Sequence, residues 1–173
     1  MSTEAGKDRD EHPLGKADLQ RWAEEAGGRL EFHPLEAETP TVAAAAVALG
    51  VKPEQVIKSL VFWVDEGPGG GPVLVIGSGL DRVNLGKLAQ VLGTAKQAIR
   101  FAPPGLALEL TGYATGTMPP FGHRQKLPTL IDRRVARQPF IYGGCGDHRD
   151  MLSCATVELL RLTRGRVVDV MGE

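Results

Sequence analysis

The chain is short of most features that announce a function. Cysteine occurs twice, at Cys145 and Cys154, too few for a disulfide framework, which points to a reduced, cytoplasmic setting. No apolar run approaches the roughly 20 residues that span a bilayer. The opening "MSTEAGKDRDEHPLGKADLQ" also lacks the apolar stretch of a signal peptide or anchor, so no membrane association is expected. Neither sign of charge dominates, with 20 Lys and Arg against 21 Asp and Glu. That balance excludes a global pull toward nucleic acid and leaves any RNA contact to a local basic patch.

Common catalytic signatures are missing too: no Gly-x-Ser-x-Gly elbow, no His-Glu-x-x-His, no dinucleotide fingerprint and no Cys-x-x-Cys pair. The "CGDH" run, Cys145 to His148, puts thiol, carboxylate and imidazole together, and His123 could join them. It lacks the second half of a paired metal site, so a polar turn with a buried thiol accounts for it. Cys145 has no base partner that would make it a nucleophile. The glycine loop "GPGGGP" lacks a Gly-Lys-Ser/Thr ending and a following helix, and reads as a flexible hairpin tip rather than a phosphate cradle. No metal and no cofactor are expected.

What remains is an ordinary globular composition, 42% hydrophobic and 24% charged, over 173 residues, enough for one domain with a real core. Residues 1–15 are polar and aperiodic and are predicted to be a disordered lead; the domain occupies 16–173. Helical spacing of Leu19, Trp22, Ala23 and Ala26 predicts a helix over 17–26, followed by a strand at "RLEF". Thr39-Pro40 is a helix start, with Val42, Ala45, Ala46 and Leu49 as its buried stripe and Gly50 its stop. The runs "VIKSLVFWVD" and "VLVIGSG" form a hairpin in the middle of the sheet. Asn84 caps a helix that ends at Gly93, "AIRFA" is a strand and Pro103-Pro104 starts a short helix. Strands at "PTLID", "PFIYGG" and "MLSCA" precede a helix "TVELLRLT", with Val157, Leu159 and Leu160 inward, and a last strand "RVVDVM". Helices and strands mix without βαβ alternation, so the expected class is α+β, a single domain with a mixed, mostly antiparallel sheet and flanking helices.

One stretch fits neither element type. "TGYATGTMPPFGHRQKLPTLID", Thr111 to Asp132, is dense in glycine and proline. Glycine lets backbone approach a ligand with no Cβ in the way, and proline fixes a loop in advance. The stretch is either a tight surface connection or a pocket wall made of backbone amides. Lys58 poses a parallel question. It shares one face of an apolar strand with Val56, Leu60 and Phe62, where an ammonium is costly to bury without a partner. It either snorkels to water or serves a site. Asp132 is a loop cap or a group that orients pocket amides or binds a substrate amine. His123, Arg124 and Lys126 form a basic cluster, suited to acceptor-stem phosphates or to a solvated turn.

These residues resemble the YbaK/prolyl-tRNA synthetase editing-domain family of aminoacyl-tRNA deacylases. The family pattern is similar to Gly112, Tyr113, Gly116, Pro120, Phe121 and Gly122 here, then Leu127-Pro128-Thr129 and Asp132. "PEQVIKSLVF" looks like the family's lysine-bearing strand, and "FIYGGCG" like its Gly-Gly turn at Gly143 and Gly144. The likeness runs in order from about Asp18 to Val170. It implies Lys58 as the catalytic cation, and Gly112, Tyr113, Gly116, Pro120, Phe121, Gly122, Asp132, Gly143 and Gly144 as substrate-binding. It further implies metal-independent hydrolysis of a small mischarged aminoacyl ester, alanine- or cysteine-like, on the 3′ end of a tRNA such as tRNA-Pro. At this length recognition is in trans, with a prolyl-tRNA synthetase as the implied partner. Leu35 stands where the cysteine-clearing branch has tyrosine, and Gly143 where it has serine, which leaves the amino acid open. Two other readings stand beside this one: a silent pocket protein that binds a metabolite or partner protein, and an esterase acting without tRNA.

Overall fold

Apolar, β-branched residues dominate Ile57–Val64 and Gly71–Ser78, and the two runs pair antiparallel along their whole length, Ile57 opposite Ser78 and Val64 opposite Gly71. The structure, a computed structural model, describes residues 12–65 and 70–172. Most of the expected lead and part of the glycine-rich hairpin tip lie outside the described residues. In chain order the elements are α1 (Lys16–Glu25), β1 (Glu31–Pro34), α2 (Val42–Leu49), β2 (Ile57–Val64), β3 (Gly71–Ser78), α3 (Leu85–Leu92), β4 (Ile99–Phe101) and α4 (Pro104–Thr111). After the Gly- and Pro-rich stretch come β5 (Thr129–Asp132), α5 (Arg133–Ala136), β6 (Phe140–Gly144), β7 (Asp150–Ala155), α6 (Thr156–Thr163) and β8 (Arg166–Val168).

The class is α+β as expected, but the strands form two sheets rather than one. Five strands run in the order β4-β2-β3-β5-β8, with β5 parallel to both β3 and β8; three run β1-β7-β6, all antiparallel. Among the described residues a single bridge, Val56 to Tyr142, joins the sheets. Period-2 alternation then divides the larger sheet into two buried faces. Ile57, Val61, Leu74, Ile76 and Ile131 pack with Leu19, Ile141 and Leu152. Phe62, Val64, Val73 and Val75 face the other way, onto Leu88, Val170 and Met171.

Local details shift some expected boundaries. The cap of α2 is Thr41, whose hydroxyl accepts the Ala44 N–H at 3.0 Å, so Thr39-Pro40 precede the helix. In α6 the inward side is Leu159 with Thr156 and Thr163, while Val157 is 73% exposed. β1 begins two residues later than "RLEF", because the Gly28 N–H still closes onto Ala23 of α1. The short α5 has no periodic signal and exists because Asp132 caps it.

Asp132 ties the sheet to the C-terminal segment. One carboxylate oxygen accepts the Arg134 N–H at 3.0 Å; the other accepts those of Val170 and Met171 at 3.1 and 3.2 Å. The residue is fully buried. Removing an acceptor that leaves buried N–H groups unpaired costs about 1–3 kcal/mol per group. Asp132→Ala is therefore expected to lower unfolding free energy by about 3 kcal/mol or more in urea titration. A loss below about 1 kcal/mol would contradict this clamp.

Candidate functional site

The Gly- and Pro-rich stretch becomes a loop pressed against the end of β6. Gly116 has φ +95°, a conformation that side chains other than glycine's rarely adopt. Gly144 is required for another reason. A Cβ on it would lie 2.7 Å from the Thr117 carbonyl oxygen and 3.0 Å from that of Met118. Only a residue without a side chain lets β6 and the loop come this close. The Gly146 N–H, 2.7 Å from the same Thr117 carbonyl, seals the contact.

The backbone donors of the loop divide between the exposed Gly116 and the buried residues after it. Thr117 donates its N–H to Ala114 at 3.3 Å, but the N–H groups of Gly116 and Met118 have no acceptor among the described residues. Thr117, Met118, Pro119 and Pro120 are buried, so this part of the loop is held in place. His123 adds a pin: its Nε2 donates to the Pro119 carbonyl at 2.7 Å. Burial pushes its pKa down, against the opposing pull of that hydrogen bond, so the ring is neutral at neutral pH and belongs to the loop. Of the basic cluster, Arg124 donates to the His12 carbonyl at 2.6 Å, and Lys126 is exposed.

The sequence-derived residues divide into groups. Gly116, Pro120, Gly143 and Gly144 come together around the loop and the end of β6. Gly143 lies under Ile57, whose side chain would meet an added Cβ at 3.0 Å. Gly112 ends α4, and its carbonyl accepts the Leu14 N–H at 2.6 Å. Tyr113 and Phe121 are core: Tyr113 is fully buried and Phe121 stacks on Trp22 at 5.3 Å. Gly122 packs beside that stack, near Leu19. Of the two roles open to Asp132, its hydrogen bonds occupy the cap.

Lys58 is half-buried on β2, next in sequence to the Ile57 that touches Gly143. Its side chain lies on the opposite sheet face, opposite Gly77, and its ammonium approaches the Gly79 carbonyl at 3.5 Å. Burial pushes its pKa down, Asp81 pulls it up and Arg82 adds to the lowering. No hydrogen bond or ion pair joins Lys58 to Gly116–Pro120 among the described residues.

Sequence reasoning passed over a pair that joins α1 to β7. Lys16 and Asp150 form an ion pair at 3.1 Å, with the Lys16 ammonium 5.4 Å above the Phe32 ring. A carboxylate opening the apolar run "MLSCA" was the available signal. The "CGDH" run does not converge: the Cys145 thiol is buried while Asp147 and His148 are exposed. Asp147 instead accepts the Arg149 N–H at 2.9 Å.

Comparison with known proteins places this geometry. A model of the aminoacyl-tRNA editing domain matches residues 36–162, a span holding Lys58, the loop and the Gly143–Gly144 pair. The chain belongs to that family. It is 27% identical over 137 residues to the uncharacterized protein YwhH of Bacillus subtilis (strain 168), covering 79% of this chain and 83% of that protein. Among solved structures it resembles a candidate trans-editing enzyme for prolyl tRNA synthetase, with TM-score 0.82 and 34% identity, covering 91% of this chain and 97% of the other. It also resembles the hypothetical protein APE2540, with TM-score 0.79 and 28% identity over 90% and 99% of the two chains.

Two outcomes follow from the editing-domain geometry. Gly144→Ala forces its methyl into loop backbone, and overpacking of this kind costs about 1–3 kcal/mol; the melting temperature should fall, and an unchanged one would refute the close approach. Burial holds the Cys145 thiol up at about 11 and the Cys154 thiol at about 12. Both are protonated at neutral pH and should stay unreactive toward a thiol-specific reagent until the protein is unfolded. Rapid labelling of native protein would reopen the nucleophile assignment.

Proposed function

We propose that this chain is a free-standing aminoacyl-tRNA deacylase that hydrolyses the ester of a small mischarged amino acid, alanine- or cysteine-sized. The proposed carrier is tRNA-Pro, and a prolyl-tRNA synthetase is the partner in trans. The observation that carries the reading is the Gly- and Pro-rich loop, buried over Thr117–Pro120 and packed on Gly144, inside a chain of the editing-domain family.

The chemistry asks little of side chains. An aminoacyl ester is already activated, and the barrier lies in charge developing on the carbonyl oxygen as water adds. Donors fixed in advance stabilise that oxygen without reorganising. The Gly116 and Met118 N–H groups are assigned to this need, and Gly144 lets β6 pack against the loop that carries them. Water supplies the hydroxyl added at the carbonyl carbon; the ester C–O bond breaks, and the ribose oxygen leaves with a proton. Lys58 is assigned as the cation that holds the terminal phosphate or ester, on the side of the sheet where its ammonium lies 3.5 Å from the Gly79 carbonyl. A small pocket discriminates by exclusion, because synthetases separate amino acids differing by one methylene by only about 1–3 kcal/mol. Since Gly143 lies beneath Ile57, the serine of the cysteine-clearing branch would have to displace that side chain. Cysteine specificity is therefore not assigned.

The present direction of Lys58 toward Gly79 favours a second reading, a silent pocket that binds a metabolite or partner protein. Deacylation separates the two. Purified protein should release alanine, cysteine or serine from mischarged tRNA on acid gels, with and without EDTA. Lys58→Ala should lower the rate at least about 100-fold, the scale seen on removing one electrostatic stabiliser, while the melting temperature holds. Full activity in that variant removes Lys58 from the mechanism. No hydrolysis of any of the three substrates removes the deacylase.

A further inference from the structure

A concavity among the described residues lies away from the Gly116–Pro120 loop. It is a groove of about 730 Å³ on the outer face of the three-stranded sheet, within the usual range of about 300–1,000 Å³ for ligand sites. Its floor is strand surface. Phe140 and Tyr142 lie two residues apart on β6 and so share a face, and both line the groove with Ser153 of the neighbouring β7. Glu31 pairs with Ser153 from the other side, and Arg29 stands at the rim.

Two features lack an explanation in packing. The Phe140 side chain is 52% exposed and Val157, beside it on the rim, 73%. The polar groups, by contrast, are ordered: Ser153 Oγ is 2.7 Å from His33 Nε2, and the Tyr142 ring tilts against the His33 ring at 5.6 Å. Aromatic rings presented on a strand face, with hydroxyl, carboxylate and guanidinium groups around them, match the surfaces on which unpaired bases stack and offer their edges. Added strand pairing by a peptide fits less well, since the free edge of β6 is already bridged at Tyr142 by Val56.

We propose that this face is a stacking platform for the unpaired nucleotides at the 3′ end of the RNA substrate. The inference rests on the deacylase reading and adds the path of the RNA. β6 ends at the Gly143–Gly144 wall of the loop and begins at Phe140. At about 3.3 Å per residue the strand leads about 13 Å from the reacting end to the groove. One strand thus serves the terminal ester at its glycine end and a preceding base at Phe140. Charge does not drive this contact: Arg29 is offset by Glu31, and Glu158 is paired with Arg161. Binding through the platform should therefore depend only weakly on salt.

The test uses an acceptor-stem minihelix carrying alanine through a non-hydrolysable 3′-amide, with its unpaired 3′ end intact or trimmed away, and reads Kd by fluorescence anisotropy. Phe140→Ala should weaken the intact minihelix about five- to 100-fold, as loss of one base–aromatic stack does, and leave the trimmed one unchanged. Phe140→Trp should restore binding, and thermal melts should show both variants folded. An unchanged Kd in Phe140→Ala, equal weakening of the trimmed minihelix, or no binding by the wild type overturns the platform. Deacylation of full-length mischarged tRNA by the wild type is scored separately, so the platform can fail while the deacylase stands.

Discussion

Everything at the site depends on one contact without side chains, the approach of β6 at Gly144 to the carbonyls of Thr117 and Met118. A loop of glycine and proline has little means of holding itself, because it has few side chains to pack and few regular hydrogen bonds. Here it is held from outside. Gly144 admits it, the Gly146 N–H bonds to it, His123 pins Pro119, and Tyr113 and Phe121 anchor its ends in the core. Fixing the loop this way leaves some of its N–H groups without partners. In the proposed reading those N–H groups are the ones that would meet the substrate.

The same arrangement explains the thinness of the catalytic inventory. The two thiols are buried and protonated, the neutral His123 serves the loop, and Asp132 is consumed by three backbone N–H groups. On the proposed mechanism this inventory suffices, because an aminoacyl ester is already activated and the remaining task is to orient water and stabilise one oxyanion. Splitting the strands into two sheets has its own consequence. The seam at Val56 and Tyr142 brings the lysine-bearing strand beside β6, while the outer face of the smaller sheet stays open.

Much of this was legible in the residues. Long apolar runs identified β2 and β3 because their alternation is buried on both faces and nothing competes with it. Asn84 and Gly93 bounded α3 as a cap and a left-handed stop do anywhere. The buried alanines of α2, Ala45 and Ala46, were legible from their spacing, while the start expected at Thr39-Pro40 moved to Thr41, whose hydroxyl accepts the Ala44 N–H. Val157 misled: its spacing suits an inward face, but the side that turns inward is set by the sheet against which α6 packs.

By itself the sequence determined the class, the central hairpin and the family-like order of lysine, glycine loop and glycine pair, because propensity, period and spacing are properties of neighbouring residues. Only the tertiary structure decided that Gly144 meets Thr117 and Met118, that Asp132 is a clamp, that Lys58 faces Gly79 and that Phe140 lies open. Each of these depends on which segments distant in the chain share a surface, and pairing at long range is chosen by burial of the whole core rather than by any local pattern.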